Sequence, residues 1–325
     1  MAITYLGFDG FETGYQKPVS AYLSGFGVNT TEKTGVYGMG VSGTLRRPIP
    51  GAQNELSGGY WWYPSSTWTV GGNSSIAAAE LSTGELVGVY WNPTTKTFDA
   101  YVDGVLVASG SVAVQYNDWF NVQFYIIISD TVGYIGCKIG GQLALDYSGN
   151  TLPAEADAEV SYFYYYNTAS GGSSYMDDFV WGIGGWTGDC RVDYIKPNAD
   201  TVVNDWTPST AVDHYTTIDE VPPNITDYLY TSTTSMEEEV ELEDWDGEGK
   251  TPVAVWAWCR AREDVATAES LQVGVDSGGV DDVTEYIMTD QYAYYGHYMD
   301  ENPDGPAAWD EAAINALKFR LESII

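Results

Sequence analysis

Residues able to do chemistry are few, and each belongs to a recognisable pattern. Glu155-Ala-Asp157-Ala-Glu159 places three carboxylates at alternate positions, so on a strand all three would project from one face. A retaining glycoside hydrolase needs two carboxyl groups about 5–5.5 Å apart, and this spacing permits such a pair. The intervening alanines and Pro153 read instead as a solvated acidic connection into the next strand, which is the default taken here. Asp300, Asn302, Asp304, Gly305 and Glu311 fit D-x-[DN]-x-[DN]-G-x5-E, a calcium loop with oxygens at positions 1, 3, 5 and 12. Asp300, Asn302, Asp304 and Glu311 are therefore candidate Ca2+ ligands. The aromatic, Gly-containing segment before them reads as a strand rather than an entering helix, so the competing reading is a closing turn. Apart from this Ca2+ candidate, no cofactor is expected.

His214 and His297 are the only histidines, one in a Thr/Tyr-rich connector and one inside an aromatic strand, and both are read as packing or surface residues. GxSxG, HExxH and a phosphate-cradling Gly-rich loop with Lys are all missing from the sequence. No catalytic residue is assigned, and the expectation is a protein that binds and does not catalyse. Two aromatic groups are the candidate binding residues: Tyr60, Trp61, Trp62, Tyr63 and Trp68 in YWWYPSSTW, and Tyr162, Tyr164 and Tyr166 in YFYYYN. Rings of this kind stack on sugars or supply rigid contact area at subunit interfaces, and the interface is preferred.

The elements that must position these groups are strands. LVGVYW (86–91), FDAYVDGVLVAS (98–109), WFNVQFYIIIS (119–129), GYIGCKIGG (133–141), QLALDYS (142–148) and VSYFYYYN (160–167) are short, β-branched or aromatic, and separated by turn residues. Asp103-Gly104 and Gly140-Gly141 suit two-residue hairpin turns, which require positive φ. Regular antiparallel strands of this length imply a sandwich. Segments 237–245, 252–264, 269–278 and 284–299 also read as strands, whereas Trp309 to Ile325 carries an apolar stripe at helical spacing with Asp310 and Glu311 near its start. No repeat or heptad is visible.

With 325 residues, 44% hydrophobic and 14% aromatic, the chain can bury substantial cores and suits about two domains. Acids number 46 against 13 bases, a formal charge of −33, which argues against nucleic-acid and anionic-membrane partners. Of these, 17 acids and 6 bases lie in residues 1–190, and 29 acids and 7 bases in residues 191–325. The shift coincides with a proline-bearing stretch, so domains are placed at 1–195 and 225–325 with a linker at 196–224. The first twenty residues lack the apolar run of a signal peptide, and three cysteines without CxxC spacing read as free thiols.

WNPTTKTFDAYVDGVLVASG (91–110), WFNV (119–122) and DTVGYIGCKIGGQLALDYSGNT (130–151) resemble the later strands of concanavalin-like, laminin-G-like jelly rolls. SYMDDFVWG (174–182), GDCRVDYIKPNADTVVNDWTPST (188–210) and IDEVPPNITDYLYTSTTS (218–235) resemble a group of tailed-bacteriophage structural proteins carrying such a sandwich. Their closing pattern is matched by Pro303, Gly305, Trp309 and the expected helix. The resemblance implies an all-β chain: an N-terminal concanavalin-like jelly-roll sandwich and a C-terminal β-sandwich with a short terminal helix. It further implies a virion component assembled in the host bacterial cytoplasm. Decoration of the capsid exterior, with other virion proteins and copies of itself as partners, is the first expectation. A tail-associated adhesin binding host-surface polysaccharide is the alternative, and a hydrolase like the jelly-roll enzymes of glycoside hydrolase family 16, which share the E-x-D-x-E strand, is a third. Asp177 and Asp178, a pair that recurs in the phage proteins, are expected to bond local backbone N–H groups.

Overall fold

The computed structural model describes residues 3–9, 23–29, 33, 38–66, 69–70, 74–154, 156–166, 169–171, 174–210, 213–220, 223–264, 269–305 and 307–324. The chain forms two compact units, Met1–Asp193 and Tyr194–Ile325.

Unit 1 contains β1 (Thr4–Asp9), β2 (Leu23–Asn29), β3 (Gly38–Gln53), β4 (Glu55–Pro64), β5 (Thr69–Val70), β6 (Ser74–Leu81), β7 (Leu86–Asn92) and β8 (Thr97–Val102). It continues with β9 (Val105–Ser109), β10 (Phe120–Ile127), β11 (Gly133–Ile139), β12 (Gln142–Gly149), β13 (Val160–Tyr166), β14 (Ala169–Gly171) and β15 (Ser174–Ile183). One antiparallel sheet runs β12-β11-β10-β4-β15-β3-β13-β6-β7-β8-β9, with β1 on β15, β2 on β3, and β5 and β14 as a separate small pair. The sheet folds over itself, since β12 lies against β8 and β9 and both halves feed one core. Strand alternation sends Tyr60, Trp62, Val122 and Phe124 inward to meet Phe163, Tyr165, Trp91 and Phe98. Both expected hairpins form: Asp103-Gly104 has φ 47° and 76°, and Gly140-Gly141 has φ 55° and 79°.

Unit 2 contains β16 (Pro197–Asn204), β17 (Thr207–Pro208), β18 (Leu229–Tyr230), β19 (Glu237–Leu242), β20 (Val255–Ala261), β21 (Ser270–Ser277), β22 (Val280–Ile287), β23 (Ala293–Met299), α1 (Glu311–Ile314) and β24 (Leu317–Ile324). A five-stranded sheet, β16-β19-β24-β21-β22, is covered on one face by the β20–β23 ribbon. Trp309, Met299 and Leu317 pack between them, and Trp309 Nε1 donates to the Met299 carbonyl at 3.3 Å.

The all-β reading holds, with three corrections of detail. Pro197–Asn204, placed in the expected linker, form β16, an edge strand of the second sheet. The helix is a single turn capped by Asp310, whose Oδ1 accepts the Ala313 N–H at 2.8 Å. Leu317 to Ile324 is instead a central strand with Leu317 and Leu321 buried and Lys318, Arg320 and Glu322 on the other face. Segment 284–299 is split between β22 and β23, and Gly278-Gly279, with φ 61° and 88°, forms a further hairpin turn before β22.

Candidate functional site

The candidate aromatic residues divide by strand alternation. Tyr60 and Trp62 are 1% and 0% exposed and belong to the core, so they are corrected as contact residues: a sealed ring offers no face to a ligand. The Tyr60 hydroxyl donates to the Ile76 carbonyl at 2.6 Å, and burial pushes its phenol well above the usual range. Trp61 and Tyr63 point outward and stay half-buried. Trp68 lies outside the described residues. Tyr162 lies on the outward face of β13 beneath the Arg46 guanidinium, 4.1 Å from its centroid, and Arg46 also pairs with Glu80. Tyr164 and Tyr166 follow on the same face, 6.2 Å apart, with Tyr166 exposed.

The outward face of β4, β10 and β15 gathers residues from three separate stretches. Tyr63 meets Trp119 at 5.5 Å and Tyr175 at 5.7 Å between centroids. Trp61 sits in register between Asn121 of β10 and Asp177 of β15, with Lys33 Nζ 4.3 Å from its ring. Gln123 donates to Asn121 Oδ1 at 2.9 Å, which fixes both amides. Sequence reasoning missed Trp119 and Tyr175; in each stretch the odd-numbered residues Trp119, Asn121 and Gln123, and Tyr175 and Asp177, already alternate with apolar ones.

Asp177 and Asp178 hold this face together. Both are 0% exposed within β15, at a bulge against β4 where Asp178 takes φ 50°. Asp177 Oδ2 accepts the Lys33 N–H at 2.7 Å and its Oδ1 accepts the Asp178 N–H at 2.8 Å, while Asp178 Oδ1 accepts the Val192 N–H at 3.0 Å. Buried carboxylates need such donors, so the backbone-bonding role expected of the pair is met within β15. The segment tied down at Val192 crosses the sheet as a strap, with the Gly188 N–H donating to Gln123 Oε1 at 3.2 Å. A Cβ on Gly59 would stand 2.6 Å from Thr187 Oγ1, so glycine is what admits the strap. Trp186 on the strap covers Tyr125 and Tyr134 at 6.1 and 6.5 Å, with Lys138 Nζ 4.2 Å from its ring.

The remaining candidates are dispersed. Residues 156–159 form no strand, so Asp157 and Glu159 are not arrayed as an alternating carboxylate face, and Glu155 lies outside the described residues. Asn302 bridges to Ala307, and its Oδ1 accepts from the Ser277 hydroxyl at 2.7 Å and the Asp304 N–H at 3.0 Å. A strand, β23, precedes this loop where an EF-hand has a helix, and Asp300, Asp304 and Glu311 are exposed. Among the described residues no group of three or more His, Cys, Asp or Glu is placed to hold a metal ion. His214 pairs with buried Glu238 at 2.9 Å, and His297 bridges Thr284 at 2.7 Å and Asp282 at 2.8 Å; both serve packing between elements. Cys137, Cys190 and Cys259 form no disulfide. No helix among the described residues is long and apolar enough to cross a membrane.

No family model matches the chain, and no curated protein does. Among solved structures it is similar to the cellulose-induced protein Cip1, with TM-score 0.41, 14% identity, and 57% of this chain against 99% of that one. Domain 4 of the arabinanase AbnA from Geobacillus stearothermophilus, in complex with arabinotriose, gives TM-score 0.38 and 12% identity over 57% and 95% of the two chains. A Trypanosoma rangeli sialidase gives TM-score 0.35 and 15% identity, the match spanning 52% of this chain and 27% of the sialidase. The names of all three refer to carbohydrates, and two of them name enzymes. The expectation that the chain is not an enzyme is withdrawn on that finding, and a likeness at these TM-scores assigns no reaction.

Proposed function

We propose that the protein binds polysaccharide through the outward rings of unit 1, as the exposed adhesin of a tailed-bacteriophage particle. The observation that carries the reading is the cluster of half-buried rings, Trp61, Tyr63, Trp119 and Tyr175, beside hydrogen-bonded amides and buried acids on a strap-braced sheet. Sugar rings present apolar C–H faces and hydroxyl edges, which aromatic faces and polar neighbours meet respectively. Bracing by Asp177, Asp178 and the strap keeps the rings in place before the ligand arrives, lowering the ordering cost of binding. The virion setting rests on the linked phrases at 174–235, and several copies on one particle would raise weak single-site affinity by avidity.

Capsid decoration is the second reading, supported by the outward Tyr162, Tyr164 and Tyr166 row, whose composition suits protein contact. A glycan array of bacterial capsular and lipopolysaccharide chains, probed with wild type and Trp119→Ala, separates the two. Binding to a defined glycan that drops at least tenfold in the variant is expected. An absence of any ligand at millimolar concentration removes the adhesin reading, and quantitative mass spectrometry of virions near one copy per shell subunit would favour decoration.

A further inference from the structure

The outward face of the β20–β23 ribbon in unit 2 has a composition found nowhere else in the described chain. Alternation turns Ala257, Tyr295 and Met299 into the core and leaves Trp256, Trp258 and Arg260 of β20 and Tyr294 of β23 on the other side. Trp258 lies 6.3 Å from Trp256 and 5.5 Å from Tyr294 between centroids, all three half-buried. Gly296, opposite Trp258 in the register, makes room for this: a Cβ there would stand 2.5 Å from Trp256 Nε1. The row ends in two guanidinium groups, Arg260 and Arg262, 4.9 and 5.0 Å from the ring centroid of Tyr292.

Two arginines at one ring are conspicuous in a chain with 13 bases and 46 acids. Tyr292, with the Pro223 carbonyl 3.4 Å from Arg260 Nη1 and Asp264 Oδ1 3.6 Å from Arg262 Nη2, holds the two guanidinium groups in place, and guanidinium groups favour planar anions, carboxylate above all, which they bind through paired N–H donors. The adjoining indoles supply a flat apolar platform of sugar-ring dimensions. A densely charged polyanion is opposed by the net charge of −33. A short uronate oligosaccharide with a few carboxylates is not, because at physiological salt the field beyond roughly 8 Å is screened. We propose that this face is a second binding site, for a uronate-bearing oligosaccharide, with Arg260 and Arg262 on the carboxylate and Trp256 and Trp258 under the neighbouring ring. The site is independent of the unit 1 rings.

The test is calorimetric titration of the full chain with trigalacturonate, its methyl ester and cellotetraose. Trigalacturonate binds; the ester and the neutral sugar bind at least tenfold more weakly. Arg260→Gln/Arg262→Gln and, separately, Trp258→Ala each lose at least tenfold, while Trp61→Ala/Trp119→Ala leaves this affinity unchanged. The arginine pair is partly exposed, so its variant keeps the wild-type melting temperature and remains informative if Trp258→Ala fails to fold. No heat with trigalacturonate, equal binding of acid and ester, or wild-type affinity in the arginine variant overturns the proposal.

Discussion

The outward sheet faces of the two units are built from opposite materials. In unit 1 the face of β4, β10 and β15 carries rings and amides, and its acids, Asp177 and Asp178, are sealed and committed to backbone N–H groups. In unit 2 the face of β19, β24 and β21 is a ladder of ions: Arg320 lies 3.0 Å from Glu237 and 3.4 Å from both Asp281 and Glu322, and Lys318 lies 3.0 Å from Glu239. Acids that order backbone make a rigid surface with free ring faces, whereas acids that pair with cations across strands use up the surface they occupy. The first arrangement suits a ligand; the second mainly sets partner strands.

The largest expected effect that sharpens this contrast is alkaline loss of stability in unit 1. Burial first pushes Tyr90, Tyr125, Tyr134 and Tyr165 up to about 12, with neighbouring groups adding to it at the first three and hydrogen bonds with Ser174 and Trp62 opposing it at Tyr165. These phenols keep their protons in the folded state and lose them near pH 10 when unfolded. Their contribution is therefore complete below pH 10 and lost as pH rises toward about 12. Tyrosinate absorbance should show a late-titrating class that merges with the early one on unfolding, and an absent late class contradicts the burial assigned to these rings.

Next in size is the divide between neighbours on β4. Trp62→Ala should cost about 3–5 kcal/mol in urea unfolding, as for other buried large aromatic side chains. Trp61→Ala should cost below about 1 kcal/mol, because its ring faces outward. Equal losses would erase the distinction between core and contact face. Smaller again is Asp178→Ala, expected to cost about 1–3 kcal/mol by leaving a strap N–H without its acceptor and an alanine at positive φ. Asp178→Asn should retain part of this stability, and urea midpoints rank the three. Smallest is Lys196→Met in unit 2, expected to change stability by less than about 1 kcal/mol, since its 3.8 Å pair with Glu243 is 41% and 45% exposed, weak and screened by salt. A larger change there would make an exposed ion pair a structural equal of the strap.

Much of this was legible in the sequence, and the misses have physical causes. The Asp103-Gly104 and Gly140-Gly141 turns and the strands beside them follow from residues that need positive φ between alternating apolar runs. Leu317-Lys-Phe-Arg-Leu-Glu-Ser-Ile alternates with period two as clearly as it fits a helical stripe, and pairing with both β19 and β21 decides for the strand. The contact face was half visible. YWWY announces rings without saying which are sealed, since alternation gives parity but burial depends on the opposite half of the sheet. Trp119 and Tyr175 reach Tyr63 only through pairing of β10 and β15 with β4, a long-range register that no local spacing encodes.

The measurement that bears most directly on the proposed function is calorimetric titration of an array-identified glycan into wild type and a Trp61→Ala/Trp119→Ala variant of matched melting temperature. At least a tenfold loss of affinity is expected in the variant. Wild-type affinity in that variant would contradict it and move glycan binding away from the outward face of β4 and β10.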